Sequence, residues 1–260
     1  MIAAEMTIAR DRQVPPLGGF NLTALRLEVR RMLRNRRTLM FVLVFPSLFF
    51  LMFSRPARSG KVDGATSLAY LMISMAVYGA MVGTTAGGAA VSVERSLGWS
   101  RQLRITPLRP AAYIAMKVLT AMVLGLIAVA TEYTFGAING VHLSPQVWIL
   151  SGLAAWLSSL VFAAFGLFVG FLLPSENVMQ FVGPLLAILA MFGGIFIPIA
   201  LLPPTMQTIA KFTPVYGVGQ LARAPLVGGL TASAFASVIG WTLVFGLGAA
   251  RLFRRDTARV

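Results

Sequence analysis

The sequence predicts an all-α integral membrane protein with six transmembrane helices, an N-terminal amphipathic interfacial helix, and a re-entrant outer segment before the last span. Two observations predict it. The chain is 57% hydrophobic and only 12% charged, whereas soluble domains carry about 25% charged residues. Its apolar residues also fall in long runs, and a helix needs roughly 17 to 25 of them to cross about 30 Å of hydrocarbon. The runs are Thr38 to Phe53, Ser67 to Val93, Ala112 to Ile138, Val147 to Leu173, Val178 to Ile199 and Thr231 to Ala250.

The first run is short and carries Pro46 in its middle. The fifth is interrupted by Gly183-Pro184 and Gly193-Gly194, which membrane helices tolerate as kinks or close-packing sites. The first 37 residues hold no apolar run long enough for a signal-peptide core, and no A-x-A-like cleavage site follows the first span, so the N-terminus is expected to be retained.

The basic residues orient these runs. With the N-terminus in the cytoplasm, the inner segments hold 17 of the 22 Lys and Arg and the outer ones hold Arg55, Arg58, Lys61, Lys211 and Arg223. That asymmetry follows the positive-inside rule and places both termini in the cytoplasm of a multi-pass cell-membrane protein. It also accounts for the net charge of +14 without nucleic acid, because the Arg set helix orientation and touch anionic lipid headgroups.

The expected organisation is a cytoplasmic tail over 1–20, an amphipathic helix over 21–37, the six-span domain over 38–250, and a second cytoplasmic tail over 251–260. In "NLTALRLEVRRMLRNRRT", Leu22, Leu25, Val29, Met32 and Leu33 recur at helical spacing with Arg between them, and Asn21 or Thr23 can cap the start. The pattern suits a basic helix lying in the interface; the alternative is an ordinary solvated helix packed on the protein. Residues 200–229 carry Pro203, Pro204, Pro214 and Pro225 yet remain too apolar for a solvated loop and too broken for a span. Short re-entrant helices capping an outer mouth are expected there, with an interfacial loop as the alternative.

Catalytic chemistry has little to build on. Cys is absent, the one His is His142, and acidic residues number eight. H-E-x-x-H, a G-x-S-G setting and an Asp cluster are all missing, so neither a metal site nor a cofactor is expected. Gly60-Lys61 lacks the upstream Gly of a phosphate-binding loop, and the chain is not expected to hydrolyse ATP itself.

Inside the spans one carboxylate stands out. Glu132, beside Tyr133, lies about 9 Å from the outer end of the third span at 1.5 Å per residue. It either reaches the interface or pairs with a neighbouring helix, or it contacts a cationic substrate or a proton. Phe192 and Phe196 join Glu132 and Tyr133 as candidate substrate-pathway residues. Gly79, Gly83 and Gly87 in the second span, and Gly166 and Gly170 in the fourth, form small-residue ridges suited to close helix packing within the chain or against a second copy.

The stretch "ERSLGWSRQLRITPLRP", Glu94 to Pro110, interrupts two nearly uncharged runs with four Arg. Glu94-Arg95, Gly98, "QLRITPL", Tyr113 and Lys117 resemble the cytoplasmic loop of type 2 ABC exporter permeases of the drug-resistance, daunorubicin-exporter-like branch. A second segment, "FGGIFIPIALLPPTMQTIAKFTPVYGVGQLARAPLVGG", resembles that family's outer segment with its closing Arg. The resemblance covers residues 21 to 255, and one departure is Trp99 at a position where a small hydroxyl residue is usual.

The resemblance implies a permease subunit that is not itself an enzyme. Two six-span domains pair, as a homodimer or with a similar chain, and rest on two copies of a separate ABC ATPase that holds ATP and Mg. The loop would be a coupling helix docked on that ATPase. Arg95, Arg101 and Arg104 then meet partner carboxylates, while Leu97, Trp99 and Leu103 fill a pocket. Thr106-Pro107 ends the coupling helix and starts the next one as N-cap and first-turn Pro. The implied cargo is amphipathic or lipid-like, drugs and antibiotics included. An ATP-independent channel or an ion-coupled carrier using Glu132 is the alternative.

Overall fold

The structure, a computed structural model, describes residues 16–62, 64–98 and 108–258. Helix α1 spans Leu22–Leu33, and the Asn21 side chain caps it by accepting the Thr23 N–H at 2.7 Å. Of the expected apolar face, Met32 is buried, Leu25 and Val29 are half-buried, and Leu22 and Leu33 are exposed. Helix α2 covers Arg36–Ala57 and widens into a π-turn over Met40–Val44. Pro46 explains the widening, because it has no N–H for the carbonyl four residues back and its ring would strike that carbonyl.

Strands β1, Lys61–Val62, and β2, Ala65–Thr66, pair antiparallel as a small hairpin. Helices α3, Ser67–Ser96, α4, Pro110–Ile138, and α5, Pro145–Leu172, follow. Helix α6 spans Ser175–Phe192. A 3₁₀ turn over Ile199–Leu201 leads to α7, Pro204–Lys211, and α8, Pro214–Val227. The chain closes with α9, Ala232–Ala258.

Helices α2, α3, α4, α5 and α9 are long and apolar enough to cross a membrane, while α6 carries a shorter apolar stretch, Gln180–Phe192. The fifth run was expected to continue to Ile199. Instead Gly193 ends α6 and Gly194 turns the chain at a φ of 82°, a conformation open to Gly at little cost.

Helix α3 is the axis of the bundle, with 89% of its most apolar stretch buried, against 28% for α2 and 11% for α9. A helix apolar all round suits that position, because every face meets another helix. Gly87 brings α4 close enough that an added Cβ would sit 2.6 Å from the Ala121 Cα. Gly79 and Gly83 likewise lie against Ala128 and Leu124 of α4 and against Val42 of α2. On another face, Gly166 and Gly170 of α5 lie on the Thr85 and Ala89 backbone, and Gly88 returns the contact at Ala163. In lipid such close packing is what holds helices together, since the surrounding tails are as apolar as the helices.

Contacts between helices define two ends of the bundle. The basic end gathers α1, the last turn of α3, the start of α4, the end of α5 and the tail of α9. The opposite end holds the hairpin, the α4–α5 connection, where Arg58 Nη2 donates to the Asn139 carbonyl at 3.3 Å, and the segment of α7 and α8. Helix α8 is buried against the first half of α5, against α9 and against α3.

Candidate functional site

The residues flanking loop 97–109 assemble into a frame at the basic end. Glu94, only 4% exposed, accepts from Lys117 Nζ and Arg31 Nη2 at Oε1 and from the Tyr113 hydroxyl at Oε2, the last at 2.7 Å. Glu28 of α1 takes the same two cations, Lys117 and, at 2.7 Å, Arg31. The two carboxylates thus neutralise one another's cations, and the cluster binds α1, α3 and α4 together. Partial burial alone would lower the Arg31 pKa, but the bond to Glu94 and the charges of Glu28 and Glu94 hold it above the ordinary arginine value.

Arg95, the next residue, faces the other way. Its Nε and Nη2 grip Asp256 of α9 at 2.9 and 2.8 Å, and its Nη1 donates to the carbonyls of Gly170 and Phe171 at 3.1 and 2.8 Å. Those carbonyls end α5 and need donors, so one guanidinium serves a helix terminus and a bidentate ion pair at once. Phe253 of α9 completes the joint, its ring centroid 6.2 Å from Tyr113 and 5.4 Å from Phe171. On the far side of the loop, the Arg109 N–H donates to the Gly18 carbonyl at 2.8 Å, tying the segment before α1 to the start of α4.

Loop 97–109 therefore leaves a frame held from both sides. Leu97 projects outward, 76% exposed, and Gly98 turns the chain at a φ of 75°. Trp99, Arg101, Leu103, Arg104, Thr106 and Pro107 lie outside the described residues. Of the motif residues, Glu94 and Arg95 are engaged within the chain, and Leu97 is free to meet a partner. The sequence reading gave no role in this frame to Glu28, Arg31 or Asp256. The signal was there: with eight acidic residues in the chain, a Glu or Asp inside an Arg-rich segment has cations to answer.

A second feature runs along α2, α3 and α6. One cavity of about 620 Å³ is lined by Phe41, Phe45, Tyr78, Val82, Pro184 and their neighbours. A second, of about 470 Å³ toward the opposite end, is lined by Phe49, Phe53, Tyr70, Ser74, Met75 and Phe196 among others. Aromatic rings stand between them: Phe196 stacks on Phe49 at 5.5 Å and tilts onto Tyr78 at 4.8 Å, and Tyr78 meets Phe45 at 6.0 Å.

Of the four pathway candidates, Phe196 lies in this groove. Phe192, half-buried at the end of α6, lines neither cavity. Tyr133 turns to α5, its hydroxyl 2.7 Å from Ser151 Oγ and its ring edge-on to Trp148 at 5.3 Å. Glu132 is 1% exposed and turns to α2, where the Ser47 hydroxyl lies 2.5 Å from Oε1.

Arg223, counted with the outer charges, is buried. It donates to Ser74 Oγ at 3.2 Å and to the Gly194 carbonyl at 3.1 Å, with its guanidinium 4.7 Å from the Tyr70 ring centroid. It fastens α8 to α3 and to the turn after α6 beside the second cavity. No cluster of three or more His, Cys, Asp or Glu side chains able to hold a metal occurs among the described residues.

Comparison with known proteins agrees with this architecture. The chain is 30% identical over 204 residues, 78% of its length and 83% of the relative's, to a protein of Bacillus subtilis (strain 168) named "Putative transport permease YvfS". Residues 21–227, from the cap of α1 to the last residue of α8, match the ABC-2 type transporter family. The chain therefore belongs to the ABC-2 type transporter family, as a multi-pass transport permease subunit of a kind that generally works with an ABC ATPase partner.

Proposed function

We propose that the chain is the permease subunit of an ATP-driven exporter of the daunorubicin-exporter-like branch. It pairs with a second copy or a similar chain and rests on two copies of a separate ATPase. The observation that carries this reading is the frame around loop 97–109. A segment that transmits force must join helices that move as one body, and here Glu94 and Arg95 lock the start of the loop to α1, α4, α5 and α9. Within this reading Glu94 and Arg95 anchor the loop, while Trp99, Arg101, Leu103 and Arg104 meet the ATPase.

The protein sits in the cell membrane with the frame and both termini in the cytoplasm, and α6 counts as the sixth crossing. Helices α7 and α8 are the re-entrant segment capping the outer mouth, held by Arg223. Cargo follows the groove of α2, α3 and α6. Its apolar walls, with polar side chains at Ser67 and Gln180, suit amphipathic or lipid-like molecules, drugs among them.

Co-purification and vesicle reconstitution with the candidate ATPase test the reading. Wild-type chain should capture the ATPase and alter its ATP hydrolysis. Arg101→Glu with Arg104→Glu should abolish capture while membrane insertion persists. A wild-type chain that neither binds the ATPase nor changes its hydrolysis overturns the proposal.

A further inference from the structure

The Glu132 carboxyl lies in the interior of the bundle, between α4 and α2. One hydroxyl, Ser47 Oγ, lies 2.5 Å from Oε1, and Oε2 is buried with no hydrogen-bond partner among the described residues. Ser47 Oγ also lies 2.7 Å from the Leu43 carbonyl, within the π-turn of α2. A serine hydroxyl has a single proton, and both neighbours are acceptors if Glu132 is ionised. One of the two short contacts would then bring lone pairs together. With a proton on Oε1 the chain of bonds closes: Glu132 donates to Ser47, and Ser47 donates to Leu43.

The surroundings agree with this proton count. The stretch of α2 from Met40 to Ser54 and that of α3 from Leu68 to Val82 contain no charged residue. The titratable groups there are tyrosines engaged elsewhere: Tyr70 under Arg223, Tyr78 against Phe45 and Phe196, and, on α4 itself, Tyr133 at Ser151. Thr131 and Thr134 spend their hydroxyls on the carbonyls of Ile127 and Ala130. The other charge on α4, Lys117, lies 15 residues away along the helix, about 22 Å at 1.5 Å per residue, and is held by Glu28 and Glu94. An anion with a single donor and one bare oxygen would be a buried charge without compensation, whereas a neutral acid leaves bare only a carbonyl oxygen.

We propose that Glu132 is a proton-binding site, occupied in this conformation, whose proton ties α4 to α2 through Ser47 and Leu43. A metal cation is the wrong ligand, because it needs several converging oxygens and this site offers a carboxyl and one hydroxyl. The tie falls on α2, far less buried than α3 and widened by its π-turn, so loss of the proton would release the helix that walls both cavities.

Infrared spectroscopy of the purified full chain in lipid nanodiscs at neutral pH tests the site directly. Glu28, Glu94 and Asp256 are each paired with a Lys or Arg side chain. The expected result is a protonated-carboxyl C=O band that shifts in D₂O and is lost in Glu132→Gln. In Ser47→Ala the carboxyl remains but loses its acceptor, so the band should move to higher frequency; this variant serves should Glu132→Gln fail to fold. No protonated-carboxyl band in the wild type, or a band that neither substitution alters, overturns the proposal.

Discussion

The Arg95 guanidinium and the Asp256 carboxylate, 161 positions apart, meet through two parallel hydrogen bonds of 2.9 and 2.8 Å. The pair joins the last turn of α3 to the tail of α9, and Arg95 also closes the end of α5. Both side chains are about a quarter exposed, so the ion pair itself contributes about 1 kcal/mol. Arg95→Ala removes the carbonyl contacts as well and should cost about 2 kcal/mol, the larger loss of the two. Thermal unfolding in detergent should rank Arg95→Ala below Asp256→Ala, with wild type highest; equal losses would show that the bonds to Gly170 and Phe171 contribute nothing.

Glu94 and Lys117 pose a stricter case, each 4% exposed. Lys117→Met leaves two carboxylates facing Arg31 alone, and Glu94→Gln leaves Lys117 with Glu28 alone. Breaking a buried pair from one side costs about 3 kcal/mol because a charge is stranded. The double substitution removes both charges and should recover much of that loss. Unfolding curves of the two single variants and the double variant measure the coupling; additive losses would contradict a shared cluster.

How legible was this in the sequence? The long helices were, because a run such as Ala112 to Ile138 has one physical solution in a bilayer, and α4 begins and ends within two residues of it. The stop of α6 was less so: Gly193-Gly194 in a membrane helix reads equally as a kink or an end, and only the turn at Gly194 decides. The frame's particular pairings were not legible, because Glu28 meets the cations of Glu94, and Asp256 meets Arg95, through tertiary packing and not through spacing. The burial of Arg223 was hidden for a related reason. Charge counting gives the side of the membrane and says nothing of burial, and this Arg stays buried by using a hydroxyl, a carbonyl and an aromatic face.

The helix glycines differ in what they would tolerate. At Gly87 a methyl group would press on the Ala121 backbone, which cannot step aside, so Gly87→Ala should cost about 1 to 3 kcal/mol by overpacking. Gly240 of α9 has open space where its Cβ would sit, and Gly240→Ala should be neutral or slightly stabilising. Thermal stability of the two variants side by side provides the check, and a tolerated Gly87→Ala would mean that α3 and α4 are free to separate.

The absence of Cys makes sidedness simple to read, since any introduced thiol is unique. In intact cells a membrane-impermeant maleimide should label Ser59→Cys, beside the α2–β1 turn, and leave Leu97→Cys unlabelled until the membrane is opened. Both positions are exposed, so a difference reports the side and not burial. The reverse pattern would invert the protein and place the frame outside.

Phe196 bears most directly on transport. Its ring packs on Phe49 and Tyr78 between the two cavities, and each such aromatic contact is worth about 0.5 to 1.5 kcal/mol. Phe196→Ala removes both contacts and joins the cavities, which lowers the barrier to passage and also removes a binding surface. In vesicles containing the permease and its ATPase, the KM for an amphipathic fluorescent cargo should rise about tenfold, the equivalent of 1.4 kcal/mol. Capture of the ATPase should not change, because the frame at the basic end is untouched. Phe196→Leu, which keeps an apolar plug but no ring, should fall between the two. An unchanged KM in both variants would place the cargo route outside this groove.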